Sequence, residues 1–298
     1  MELDIKTLVA LKEAKQLDSV PETIESLEHI TKGFTELIQS IYDSKPDLGE
    51  GEVFIETLSI KILLASKSII ELGKGTDVST LTKIRDIKLL DFPTINIITR
   101  SIIEAFLTLE YLFFNDLEKE ERIFRFHIWQ ISGYKSRQNF IHTKGETKNE
   151  INKKLQSEIL EINRLKLLIE KSPFYKDLNK QNLWKLDTYG LPRLVSWSSL
   201  IKESRLKSRI FETTYKLYSN YAHSEFISLI QMRVSNSLNQ GSKQNNDSLL
   251  NSLRIIKMLN CITMIELINK FEPVSKVFDK YDDEFKTTVL FWNEFGRE

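Results

Sequence analysis

The chain has 298 residues, enough to bury a large core in one or two domains. Lysine plus arginine equals aspartate plus glutamate at 42 each, so no global field draws the protein to nucleic acid or to an anionic membrane. Scarce glycine (10) and proline (6) beside plentiful Leu, Ile, Lys and Glu suit a helix-rich protein, and the single cysteine, Cys261, excludes an intrachain disulfide and a Cys-based zinc site.

Met1-Glu2-Leu3-Asp4 lacks the basic start and apolar run of a signal peptide. The best apolar stretch, 95–114, is interrupted by Arg100, Glu104 and Glu110, so no segment is expected to reach the roughly 20 residues of a membrane span. A cytoplasmic protein without membrane contact is the expectation. Val20-Pro21 opens a helix with an apolar stripe of Ile24, Leu27, Ile30, Phe34, Leu37, Ile38 and Ile41, stopped by Lys45-Pro46-Asp47-Leu48-Gly49. A second helix is predicted over 53–72, ending at Gly73-Lys74-Gly75, and a shorter one over 81–90. Asp91-Phe92-Pro93 then suits a helix start. The helix that follows is apolar nearly all round, which places it in the middle of a bundle.

Further helices are predicted over 117–140 and 148–171. Ser172–Ser199, with Pro173, Gly190, Pro192, Trp184 and Trp197, reads as an irregular segment packed by its own aromatics. A helix over 206–229 comes next, then a polar loop over 236–247, then closing helices over 249–271 and 274–292. Apolar neighbours of Cys261 predict a buried, inert thiol. The fold expected is all-α, a single domain of about eight helices with an N-terminal extension (1–75), a core (90–271) and a closing helix (273–298).

Two polar constellations stand out. Arg100, Glu104, Thr108 and Tyr111 share one stripe of the central helix that starts at Asp91-Phe92-Pro93, opposite its main apolar face. Arg-then-Glu at this spacing is the less favourable order against the helix dipole, and Ile97, Ile103 and Leu107 flank the stripe. The pair is therefore expected to be partly buried and to need partners from another helix. On 206–229, Arg209, Glu212, Lys216, Ser219, Asn220 and His223 fall on one side, and Leu206, Ile210, Phe211, Leu217 and Tyr221 on the other. His223 thus belongs to a polar face, with Ser219 one turn back to orient its ring and Lys216 to hold an anion. Arg100, Glu104 and His223 are expected to converge. Two blander readings stay open: a solvent-facing Arg–Glu pair contributing roughly a few tenths of a kcal/mol, and a merely structural or exposed histidine.

No metal or cofactor is expected. None of His29, His127, His142 and His223 follows a glutamate by three residues, and there is no His-Glu-x-x-His, phosphate-cradling glycine loop or Gly-x-Ser-x-Gly. Two basic clusters, Lys202/Arg205/Lys207/Arg209 and Lys135/Arg137/His142/Lys144/Lys148, suit either phosphate binding or a solvated helix end.

The run Thr99-Arg100-Ser101-Ile102-Ile103-Glu104-Ala105-Phe106, followed by Ser196-Trp197-Ser198-Ser199 and by Tyr215-Lys216-Leu217-Tyr218-Ser219-Asn220-Tyr221-Ala222-His223-Ser224, resembles the bacterial helical family catalogued as domain of unknown function 5677. The resemblance covers roughly 90–232, with Arg100, Glu104, Tyr215, Ser219 and His223 at motif positions. Asn220-Tyr221-Ala222-His223-Ser224 is more distantly similar to the closing helix of HEPN domains, which are small, often dimeric bundles. Many of these are metal-independent ribonucleases of toxin–antitoxin and antiphage systems. Their motif has an arginine, usually followed by a polar residue, with four to six residues between it and the histidine. No arginine stands there before His223, so Lys216 or Arg100 would have to replace it. Arg122 and His127 fit the spacing, with Ile123 where the polar residue belongs.

What this resemblance implies is a homodimeric ribonuclease acting on RNA. His223 would be general base or acid, Arg100 or Lys216 would stabilise phosphorane charge, Glu104 would position the cation, and Tyr215, Ser219 and Asn220 would bind. The alternative is a non-catalytic helical protein whose Arg-Glu-His network is structural or binds a ligand or partner.

Overall fold

The apolar periodicity becomes twelve α-helices in a computed structural model that describes residues 19–77, 88–139, 148–237 and 243–297. They are α1 (Val20–Ser44), α2 (Val53–Gly73), α3 (Phe92–Leu109), α4 (Lys119–Gln138), α5 (Lys148–Lys171), α6 (Lys180–Thr188), α7 (Trp197–Glu203), α8 (Ser208–Ala222), α9 (Phe226–Ser237), α10 (Lys243–Lys270), α11 (Glu272–Phe278) and α12 (Asp283–Gly296). A two-residue antiparallel pair, β1 (Thr76–Asp77) and β2 (Lys88–Leu89), supplies the only strands among the described residues. The fold is all-α.

Local chemistry explains the starts. Ser19 caps α1 by accepting from the Glu22 N–H, Asp91 accepts from the Thr94 N–H at the head of α3, and Asp282 caps α12 through the Phe285 N–H. Several predicted elements change. The helix expected over 206–229 is two helices, because the chain turns at His223–Glu225. The closing helix over 274–292 is likewise split, at Asp279–Asp282. Ser172–Ser199 is more regular than expected, with a 3₁₀ turn at Pro173–Asp177 followed by α6. Helix already begins at Lys243, inside the loop predicted over 236–247. Most of the segment predicted over 81–90 lies outside the described residues.

By their contacts the described residues form two compact units. The first takes those within Met1–Leu48, Glu52–Leu109 and Leu200–Glu298; the second takes Gly49–Gly51 and Glu110–Ser199. In the first unit α10 is the hub, packing on α1, α2, α3, α11 and α12, while α3 packs on α2, α8 and α10. Leu253, Ile256, Leu259, Cys261, Met264 and Leu267 of α10 are fully enclosed, so the thiol is a core group, as expected. Between Asn245 and Lys270 this helix is long and apolar enough to match a membrane span, which corrects the choice of 95–114 as the best such stretch. Of its most apolar 18 residues, 78% are buried within the protein.

In the second unit α4 and α5 pack together, with Phe124, Ile128, Ile131, Leu165, Ile169 and Leu186 at the centre. Gly190 lies against Ser132 at φ 98°, where a Cβ would stand 2.7 Å from the Ser132 Cα, and the next N–H, of Leu191, bonds the Ser132 hydroxyl at 2.6 Å.

Candidate functional site

The first unit places α8 beside α3 through an aromatic row. Phe211, Tyr215, Tyr218 and Tyr221 recur every three or four residues and are buried. Tyr221 meets Phe92 edge-on at 5.6 Å. Tyr218 donates to Ser252 at 2.7 Å, and Ser252 donates to Asn96 at 3.2 Å, so a fully buried polar chain joins α8, α10 and α3. Burial of these hydroxyls is tolerated because each has a partner. It also pushes the Tyr218 phenol up to about 12.

That packing sets Tyr215 opposite the Arg100–Glu104 pair. Arg100 Nε donates to Glu104 Oε1 at 3.0 Å, Arg100 Nη2 donates to the Tyr215 oxygen at 3.2 Å, and the Tyr215 hydroxyl donates to the same Glu104 Oε1 at 2.8 Å. The guanidinium carbon also stands 5.1 Å from the centre of the Tyr215 ring, within cation–π range. The Arg100 and Glu104 side chains are 18% and 26% exposed, so the pair is partly buried and partnered from another helix, as its sequence context predicts.

The electrostatics follow from this ring. Burial, then the hydrogen bond to the Glu104 carboxylate, push the Tyr215 phenol up to about 12. It therefore remains a neutral donor across the physiological range. Burial alone would lower Arg100, but Tyr215 and Glu104 outweigh it and the guanidinium is raised above its usual value.

His223 is the exposed member. Its Nε2 lies 3.5 Å from Arg100 Nη1, at the outer limit of a hydrogen bond. Arginine only donates, so Nε2 must accept, which places the proton of the neutral ring on Nδ1. The residue is the C-cap of α8, not an interior helical position. Ser224 follows at φ 52°; its N–H bonds the Tyr221 carbonyl at 3.3 Å, and the Glu225 N–H bonds the Asn220 carbonyl at 2.9 Å. This pair of bonds is a Schellman motif with serine where glycine is usual. It turns the chain sharply just after His223.

Arg100, Glu104, Tyr215 and His223 thus come together, and other candidates do not join them. Lys216 is exposed and pairs with Glu212 at 2.7 Å on its own helix, so the cation of the cluster is Arg100. Ser219 does not orient the imidazole; its hydroxyl bonds the Tyr215 carbonyl at 2.8 Å. Asn220 contributes its carbonyl to the stop of α8.

Arg122 and His127, the pair with matching spacing, have different partners. Arg122 reaches the Leu117 carbonyl, while buried His127 bonds Glu50 at 2.9 Å. The basic clusters are largely engaged: Arg205 with Glu266 at 3.0 Å, Lys202 with Glu212 at 3.9 Å and Arg137 with Glu158 at 2.5 Å. Lys135 is lowered by burial and donates to the Asp187 carbonyl, while His142 and Lys144 lie outside the described residues. Among the described residues no three His, Cys, Asp or Glu side chains gather as a metal site would require.

No curated protein and no solved structure matches this chain. Residues 55–242 match a family of unknown function, DUF5677, a span that contains α3, α8 and the whole Arg100–Glu104–Tyr215–His223 cluster. With well over half of its length matched, the chain belongs to the family of unknown function DUF5677.

Proposed function

We propose that the face carrying Arg100 and His223 binds and cleaves single-stranded RNA without a metal ion. The observation that carries this reading is a guanidinium held by two partners beside an exposed imidazole whose Nε2 lone pair faces it at 3.5 Å. A phosphodiester taking the remaining Nη donors of Arg100 would lie next to that lone pair.

In this scheme Nε2 takes the proton of the ribose 2′-hydroxyl, and O2′ attacks phosphorus. The bond from phosphorus to the 5′ oxygen breaks, and that oxygen takes a proton from water. The products are a 2′,3′-cyclic phosphate and a 5′-hydroxyl, and the imidazolium returns its proton to solvent. Arg100 balances the charge that develops on the phosphorane, with Glu104 and Tyr215 fixing its plane. By resemblance to HEPN domains, the setting is phage defence or a toxin–antitoxin pair.

The test is direct: incubate the purified chain with end-labelled single-stranded RNA in EDTA, and identify the product termini. Cyclic phosphate ends from the parent and none from His223→Ala support the reading; intact RNA from the parent overturns it.

One observation favours a second reading. The Arg100–Tyr215–Glu104 ring is closed and its charges are balanced in place, as in a network whose work is to hold α3 on α8. A parent without nuclease activity, together with a marked loss of stability on breaking the ring, supports that alternative.

A further inference from the structure

Helix α9 is apolar on the side that faces away from the protein. Its polar side is the one turned inward: Ser228 is buried, and half-buried Gln231 accepts a hydrogen bond from Tyr221 at 2.5 Å. Outward stand Phe226 at 78% exposure, Leu229 at 52%, Ile227 at 48% and Ile230 at 41%. At about 100° per residue these four and Arg233 fill a continuous arc of roughly 160°. A helix packed on a core buries its apolar stripe; a contiguous exposed one marks an interaction surface.

The charges on this face identify the occupant. Glu225 immediately precedes α9 and flanks this face, Arg233 stands on it in the second half of the helix, and neither has an ion-pair partner among the described residues. A two-fold axis between Leu229 and Ile230 would place them about 7 Å and 5 Å from the axis, on opposite sides, at 1.5 Å rise per residue. An antiparallel copy of α9 therefore sets each Glu225 beside the Arg233 of the other copy and each apolar face on its equal. Such self-complementarity is what an isologous contact requires. The two charges cancel, so the face has no attraction for an anionic membrane. We propose that α9 docks antiparallel on α9 of a second copy of this chain. The surface stands independently of any cleavage at His223. A single short helix per copy is smaller than the roughly 800 Å² that each partner contributes to a standard interface, so the dissociation constant should lie in the micromolar range.

Sedimentation equilibrium of the full chain, from about 1 to 200 µM, tests this. The expected species is a dimer of twice the 34.9 kDa chain mass that forms across that range. Leu229→Glu with Ile230→Glu should raise the dissociation constant more than about tenfold, because each carboxylate would have to be buried unpaired. Melting temperature should barely move, since both side chains face solvent in the single chain. Glu225→Arg or Arg233→Glu alone should weaken the dimer, and the two together should restore it to within about twofold, as coupled charges do.

A parent that stays monomeric overturns the proposal, as does a dimer indifferent to Leu229→Glu/Ile230→Glu. Charge variants without effect overturn the antiparallel pairing. Co-sedimentation of the parent with phosphatidylcholine–phosphatidylserine vesicles, lost in the double variant, would assign the face to a membrane instead.

Discussion

Tyr215 donates its phenol proton to Glu104 Oε1 at 2.8 Å, across a separation of 111 residues. The same oxygen receives Arg100 Nε, so one carboxylate oxygen organises both the neutral and the cationic donor of the cluster. Glu104 is thus a positioning residue in the proposed reaction, and His223 alone among the four stands in open solvent.

Replacing His223 with alanine should abolish RNA cleavage and leave the melting temperature within about a degree of the parent, because an exposed imidazole with one long contact adds little to packing. Cleavage by the parent should persist in EDTA. Cleavage that survives in His223→Ala removes the residue from the mechanism.

Breaking the ring should act differently. Arg100→Ala strands Glu104 and Tyr215 at a partly buried site and should cost about 1–3 kcal/mol in denaturant unfolding. It should also lower cleavage by about 10²–10³-fold, the usual cost of losing a charge-stabilising donor. Arg100→Lys should restore the positive charge but little activity, since an ammonium cannot span Glu104, Tyr215 and His223 in one plane. Full activity in Arg100→Lys would show that only the charge matters.

Much of this site was legible in the sequence because charged residues on an apolar helix must find partners. Arg100, Glu104 and His223 could be grouped on that ground, and periodicity alone places α1, α2, α4 and α5 to within a few residues. What the pattern could not show was direction. Phe211, Tyr215, Tyr218 and Tyr221 form the inner face of α8, but Leu217 reads as more hydrophobic than Tyr215 and yet is exposed. The stop at Ser224 was hidden because serine takes the left-handed position where glycine would have announced it. Ser219 was misjudged because a helical serine satisfies itself on the carbonyl one turn back.

Tyr215 gives a pH signature. Its phenol ionises near 10 when the chain is unfolded and near 12 when folded, so the folded chain holds the proton more tightly. Its contribution to stability is complete below pH 10 and falls between pH 10 and about 12. Thermal melts of the parent and Tyr215→Phe should therefore differ by a constant amount up to pH 10 and converge above it. Tyr218, also raised to about 12, is present in both proteins and cancels. A difference that stays constant to pH 12 would contradict the ring.

Ser224→Gly should stabilise the protein by about 0.5–1 kcal/mol, because glycine reaches φ 52° without the steric cost that serine bears. The Schellman bonds would remain, His223 would keep its place, and cleavage should be unchanged. A loss of stability would mean that the serine side chain has a role beyond the turn.

The buried chain from Tyr218 through Ser252 to Asn96 has a consequence for how the site can go wrong. Tyr218 lies one helical turn from Tyr215, so both hydroxyls index α8 against its neighbours. Sliding α8 by one turn, about 5.4 Å, so that Phe211 takes the place of Tyr215 and Tyr215 that of Tyr218, would keep an aromatic ring at both positions but leave Glu104 without its phenol donor. Apolar packing alone would tolerate that slip, since the aromatic row repeats at the same interval. The hydroxyl of Tyr215, which Phe211 cannot replace, opposes that slip and so favours the register in which Arg100 stands beside His223.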